Sequence, residues 1–306
     1  MNAAPALKGP YRAAARLHRR ALWALPVLAA VALAVVIGLR AWAAPGPDAA
    51  PYSGYGFLHI CMQYAGRGLL FLPAVVGAFV AGPLIGREWE SGTWRLALTQ
   101  SADPKAWLKV KVLLAAATAG LGSAALVGIH RIGWTRVAGT HRLTWADRGA
   151  YEASGPVLVG YCLLAVALGA LVGQLVRRTL PAMAVAGFLT GAVMWAVGSL
   201  RWSILPVTTT TMPLTGNPAR QAPASAFITD TGLLTGSGDR LPEYACWART
   251  KSLFDCPADM NVTAWYTEFH PASHYWPTQL IETSLALALA ALALCAAFRL
   301  VRTGRA

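Results

Sequence analysis

GLLFLPAVVGAFVAGPLIG (68–86), REWESGTWRLALTQSADPKAWLK (87–109) and VKVLLAAATAGLGSAALVGI (110–129) follow one another without interruption, and their succession decides the fold. Each outer stretch has the length, about 20 apolar residues, that crosses a bilayer core of about 30 Å. The middle stretch gathers Arg87, Glu88, Glu90, Arg95, Lys105 and Lys109 around a Gly92-Thr93 break and an Asp103-Pro104 start. A charged elbow between two lipid-soluble runs faces water, where a partner can read it.

The same pattern recurs along the chain. Apolar runs at 21–39, 156–176, 180–200 and 279–298 bring the number of expected spans to six. Composition agrees, because 56% of the 306 residues are hydrophobic and only 13% charged, against about 25% charged in a soluble domain. Arg19-Arg20, the following apolar run and Ala41-Trp42-Ala43 imitate a secretory signal. The run is longer than the 7 to 15 residues of a signal core, so it is read as a retained span. The expected fold is an all-α membrane protein of one domain over 1–306, with an interfacial or cytoplasmic N-terminal helix at 1–20. A cytoplasmic loop at 87–109 and a long extracellular segment at 201–278 complete it.

Charge sets the orientation, since Lys and Arg in short loops stay cytoplasmic. With both termini inside, the inner pieces hold Lys8, Arg12, Arg16, Arg19, Arg20, then Arg87, Arg95, Lys105, Lys109, Lys111, then Arg177 and Arg178, then Arg299, Arg302 and Arg305. Nearly all of the +13 net charge then lies on one face. An anionic lipid surface accounts for that better than nucleic acid does. Arg131, Arg136, Arg142 and Arg148 resist the scheme, because six spans place 130–155 outside.

Other features narrow the chemistry. Small residues recur four apart as Gly82/Gly86, Gly169/Gly173 and Gly187/Gly191, spacing that lets helices approach closely in lipid, within the chain or against another subunit. Pro73 and Pro83 are expected to bend the second span. No span shows a carboxylate–cation cluster of the kind that marks an ion-coupled carrier, with Glu282 read as lying at a span end within reach of water. In the outer segment frequent prolines exclude long helices, and Thr208–Thr211 and Thr235–Gly238 read as loop or turn. Trp265, Tyr266, Phe269, Tyr275 and Trp276 suit a membrane interface. Cys246 and Cys256 can pair in an oxidising exterior. His270 and His274 have ligand-like spacing, but Pro271 interrupts them and no third ligand is evident, so no metal is assigned.

Within the elbow, Gly92 is expected to end the second span's helix and Thr93 to cap a short lateral helix from Trp94. Asp103 followed by Pro104 starts the helix of the third span. The sequence has no G-x-x-x-x-G-K-[ST] phosphate loop, nor a G-x-S-x-G or H-E-x-x-H site. A membrane-embedded enzyme therefore lacks its reactive groups, and any ATP hydrolysis belongs to another polypeptide.

Glu88-Trp89-Glu90-Ser91-Gly92-Thr93, Arg95 to Gln100, and Trp107-Leu108 with Lys111 resemble the permease subunits of type-2 ATP-binding-cassette (ABC) exporters, especially actinobacterial ones. Phe269 to Pro277, Gln279 and Ile281-Glu282-Thr283 extend the likeness. It implies a multi-pass permease in a bacterial plasma membrane that binds no cofactor, with ATP and Mg on a separate cytosolic ATPase. It also implies a second permease subunit, identical or not, and a coupling helix formed by the elbow. The coupling residues would be Glu88, Glu90, Gly92, Thr93, Trp94, Arg95, Gln100, Asp103 and Lys111. Pro104 and Ala106 depart from the basic residues usual there, although Lys105 and Lys109 lie nearby. The exported substrate would be hydrophobic or amphipathic. A membrane partner of an ATPase that does not transport, such as a sensor or immunity subunit, is the alternative.

Overall fold

The computed structural model describes residues 19–43, 54–93, 103–138, 144–214, 222–223, 225–252 and 255–302, the side chains of 19–26 and 302 excepted. The expected N-terminal helix at 1–20 falls mostly outside them. The chain divides into two compact units, one of 1–137, 148–201 and 279–306 and the other of 138–147 and 202–278.

The first unit is helical. In chain order it contains α1 (Arg19–Trp42), α2 (Gly54–Leu70), α3 (Leu72–Val75), a π-helical turn (Val76–Ala81), α4 (Gly82–Glu90), α5 (Pro104–Val137), α6 (Ala150–Ala153), α7 (Val157–Val176) and α8 (Thr179–Leu200). The last long helix is α10 (Tyr275–Arg302), which belongs to this unit from Gln279 onward. Among the described residues, five continuous stretches are long and apolar enough to cross a membrane, Gly54–Glu90, Pro104–Val137, Val157–Val176, Thr179–Ser203 and Ala272–Val301, with Val27–Trp42 a shorter apolar helix.

Several helices outrun their apolar sequences. The second begins at Gly54 rather than near 68, and α5 continues through His130, Arg131 and Arg136 to Val137. A helix does not stop where the lipid does. The 34 residues of α5 span about 51 Å at 1.5 Å each, so its last turns continue as helix beyond a 30 Å core. There Arg40 of α1 donates to Thr135 Oγ1 at 2.8 Å and Arg136 to the Ala43 carbonyl at 3.2 Å. Two of the arginines that fitted the topology poorly therefore lie in helix, not loop. The chain then returns into the bundle, with 149–154 buried. His130 bridges Ser154 at 3.2 Å and the Met62 carbonyl at 3.3 Å.

Pro73 and Pro83 are expected to bend the long helix; what accompanies Pro83 is a widened turn just before it. Pro83 has no N–H to give the carbonyl four residues back. The preceding Gly82 N–H bonds instead to Gly77 five residues back, the spacing of a π turn.

α7 is the axis of this unit, buried over 78% of its apolar window against 17–33% in the other spans. Val76, Ile85, Leu108, Val112, Cys162, Ala165, Val166, Ala170 and Ala297 form the core around it. The small-residue pairs serve contacts within the chain. Gly169 lies against the backbone of Ala81 and Gly82, Gly173 against Ile85 and Gly86, and Gly82 against Ala182 and Met183. Gly191 alone of the three pairs faces open space.

The second unit corrects the all-α expectation. Residues 202–278 build a four-stranded antiparallel sheet of order β1-β4-β2-β3, with β1 Thr208–Pro213, β2 Phe227–Thr235, β3 Arg240–Pro242 and β4 Val262–His270. Thr208–Thr211 is strand, not loop, since β-branched side chains fit a pleated surface. The short helix α9 (Trp247–Thr250) lies between β3 and β4. Trp265, Tyr266 and Phe269 are at most 5% exposed, so they are buried in this unit instead of belting a membrane interface. Leu233, Trp265 and Cys246 pack together, and the sulfurs of Cys246 and Cys256 are at bonding distance, 1.99 Å.

His270 closes β4 in an aromatic cluster with Trp202 (5.6 Å between ring centroids) and Phe227 (6.5 Å), its Nδ1 3.1 Å from His274 Nδ1. Burial, and secondarily the neighbouring His274, hold its pKa below the usual 6.5, against the pull of the Trp202 backbone. The unfolded chain thus takes up this proton at a higher pH than the folded one, and stability is lost as pH falls below about 6.5. The protection factors of β4 amides in the full chain, with the intrinsic pH dependence of amide exchange divided out, are expected to fall over that range, and His270→Gln to flatten the dependence.

Candidate functional site at the inner elbow

α4 ends where Gly92 adopts φ +71°, a left-handed conformation that glycine enters without strain. Ser91 N–H closes on the Arg87 carbonyl at 3.0 Å and Gly92 N–H on that of Trp89 at 3.3 Å. On the far side of the elbow α5 starts at Pro104, with Asp103 Oδ1 3.4 Å from the Lys105 N–H. Both boundary signals in the sequence therefore work as expected. Thr93 is helical, with its hydroxyl 2.9 Å from that of Ser91. Trp94, Arg95 and Gln100, and with them the lateral helix, lie outside the described residues.

The last three residues of α4 occupy one turn, where successive side chains diverge by about 100°. Each meets a different element. Glu88 turns to α5, accepting from Trp107 Nε1 at 3.0 Å and pairing with Lys111, whose Nζ lies 5.1 Å from the Trp107 ring centroid. Trp89 carries the Arg177 guanidinium 5.1 Å above its ring. Glu90 Oε2 accepts the Thr179 N–H at 2.8 Å and so caps the first turn of α8, where the helix dipole favours negative charge.

The link between α7 and α8 is short enough to make this possible. Arg177 takes φ +55° and ends α7 with its N–H on the Gly173 carbonyl at 3.2 Å, and α8 begins two residues later. Glu88-Trp89-Glu90 thereby fastens the end of the second span to α5, to the α7–α8 link and to α8. Lys111 joins as a partner of Glu88. The sequence placed Glu88, Glu90 and Lys111 in the coupling site but not Trp107, Arg177 or Thr179, because those pairings join residues 19 to 89 positions apart.

A second polar cluster overturns the reading of Glu282 as water-accessible. Glu282 is fully buried and pairs with Arg201, which also pairs with Glu152. The usable signal was an acid several residues inside the last apolar run and a cation closing the fifth, opposite charges at comparable depth.

Residues 52–201, from just before α2 to the end of α8, match the family described as ABC-2 membrane transporter related. That segment belongs to the ABC-2 membrane transporter related family. With the five apolar stretches, that likeness supports a multi-pass membrane protein of the ABC-2 permease type. No curated protein and no solved structure matches the chain. The matched part contains the elbow, the partners of Glu88, Trp89 and Glu90 named above, and both Glu152 and Arg201.

Proposed function

We propose that this permease is the transmembrane subunit of an ATP-driven exporter, moving a hydrophobic or amphipathic substrate outward with force from a separate cytosolic ATPase. A second permease subunit completes the pathway, and ATP and Mg stay on the ATPase. The observation carrying this reading is the anchorage of the elbow. A push delivered to residues 91–103 meets Glu88, Trp89 and Glu90, and through them reaches α5, α7 and α8 together. A loop seated only in an interface has no need of three separate attachments.

The test is the double variant Glu90→Ala with Thr93→Ala, reconstituted with the ATPase in vesicles. Removing the cap on α8 and the hydroxyl at the loop's start is expected to lower ATP-driven transport by about tenfold or more, the scale of coupling energies between distant sites. Membrane insertion should be unchanged. Transport at the parent rate would remove the elbow from the mechanism.

A further inference from the structure

We propose that Glu152, Arg201 and Glu282 form a lock joining α6, α8 and α10 at the end of the bundle opposite the elbow, and that this lock must part for substrate to leave. The position follows from the chain. Thr179, at the start of α8, is held by Glu90, and Arg201 follows the helix's 22 residues, about 33 Å further along. α7 runs back between the same two ends.

The cluster is closely built. Arg201 Nε donates to Glu282 Oε2 at 2.7 Å, and Nη2 donates to Glu282 Oε1 at 2.8 Å and to Glu152 Oε1 at 2.7 Å. Tyr161 of α7 gives its hydroxyl hydrogen to Glu282 Oε1 at 2.5 Å, and the guanidinium lies 3.8 Å from the Tyr151 ring centroid. The second oxygen of Glu152 accepts the Gly149 N–H at 2.7 Å. One turn before Glu282 on the same face of α10, Gln279 donates to the Tyr151 carbonyl at 2.7 Å and accepts the Val157 N–H at 3.2 Å. The backbone around α6 is thus satisfied by Glu152 at the Gly149 N–H and by Gln279 of α10 at the Tyr151 carbonyl and the Val157 N–H. Irregular backbone inside a membrane bundle survives only when protein satisfies it in this way.

Charge counting argues for a joint that opens. With both carboxylates ionised, two negative groups share one positive group, all at most 4% exposed. A permanent joint is as well served by apolar packing, because burying ions costs much of what their attraction returns. Ionisable groups kept inside a membrane bundle mark working parts. Here the surplus negative charge weakens the closed form, and hydration of the carboxylates favours the open one. The closed form keeps its geometry through hydrogen bonds, so the two states are balanced closely enough for an external force to choose between them.

What the lock releases rests on the exporter reading, but its opening can be measured without it. In the full chain with Cys61, Cys162 and Cys295 replaced by Ala, Ala153→Cys places a thiol beside Glu152 at a site fully buried in the closed form. The measurement is its labelling rate with a membrane-impermeant maleimide in intact cells. Glu282→Gln removes the surplus charge and leaves a neutral Glu152–Arg201 pair, and is expected to slow labelling about tenfold by lowering the minor open population. Leu108→Ala, a core truncation near the elbow, should label at the parent rate. Unchanged or faster labelling in Glu282→Gln, or equal slowing by Leu108→Ala, overturns the lock. In the complex with the ATPase, trapping the nucleotide-bound state should speed labelling of the parent. If Glu282→Gln acts but nucleotide does not, the lock stands and the ATP-driven reading falls.

Discussion

Arg201→Met will destabilise the folded chain by about 3–5 kcal/mol, the usual cost of removing one partner from a buried ion pair. The cost comes from what remains. Glu152 and Glu282, both within 5% of complete burial, would face each other without a cation, and Glu282 would keep only the Tyr161 hydroxyl among its side-chain partners described above. Methionine replaces the apolar stem of the lost side chain, so that part of the packing is kept and the loss of the guanidinium's charge dominates. Glu152→Gln removes a surplus charge instead, and is expected to shift stability by less than about 1 kcal/mol, since an amide oxygen still accepts from Arg201. Denaturant unfolding of the detergent-solubilised protein gives both numbers. Equal losses for the two variants would show that burial, not charge balance, governs this cluster.

Gly169→Leu will prevent the bundle from closing, whereas Gly191→Leu will be tolerated. A Cβ on Gly169 falls 2.3 Å from Ala81 Cβ and 2.7 Å from Ala81 C, so relief requires moving the π turn itself. Even Gly169→Ala is expected to cost about 1–3 kcal/mol, as overpacked cores do. Leucine adds three more carbons where there is no space, and the expected result is loss of folded protein from the membrane fraction. At Gly191 nothing lies within 4 Å of the added carbon. Both glycines lie inside long apolar helices, so size-exclusion profiles of the purified variants compare the packing at each.

That contrast also shows how far the sequence reaches. Hydropathy located the long helices because lipid demands unbroken apolar runs, and the Gly92 stop and the Asp103-Pro104 start are local chemistry, readable wherever they stand. Helix ends beyond the lipid were illegible for the converse reason. The last turns of α5 are polar yet helical, held by Arg40 and Arg136, and no local rule requires them to unwind. The sheet was hidden by its prolines and short strands, although VTAWYTEFH, with its β-branched and aromatic residues, is a strand by propensity. The polar clusters depend on pairs such as Glu90 with Thr179 and Arg201 with Glu282, 89 and 81 residues apart. One sequence specifies such partners only through the fold that brings them together. Glu88, Glu90 and Lys111 were visible as charges at an elbow, but what each one holds was not.

The widened turn at Val76–Ala81 sets the angular phase of everything that follows it. By inserting one residue beyond the α-helical count, it offsets the rest of the span by about 100° around its axis. A straight α-helix through the same residues would aim Glu88 and Glu90 away from Lys111 and Thr179. The anchorage of the elbow to three other elements is therefore indexed by a distortion about two turns earlier in the same span.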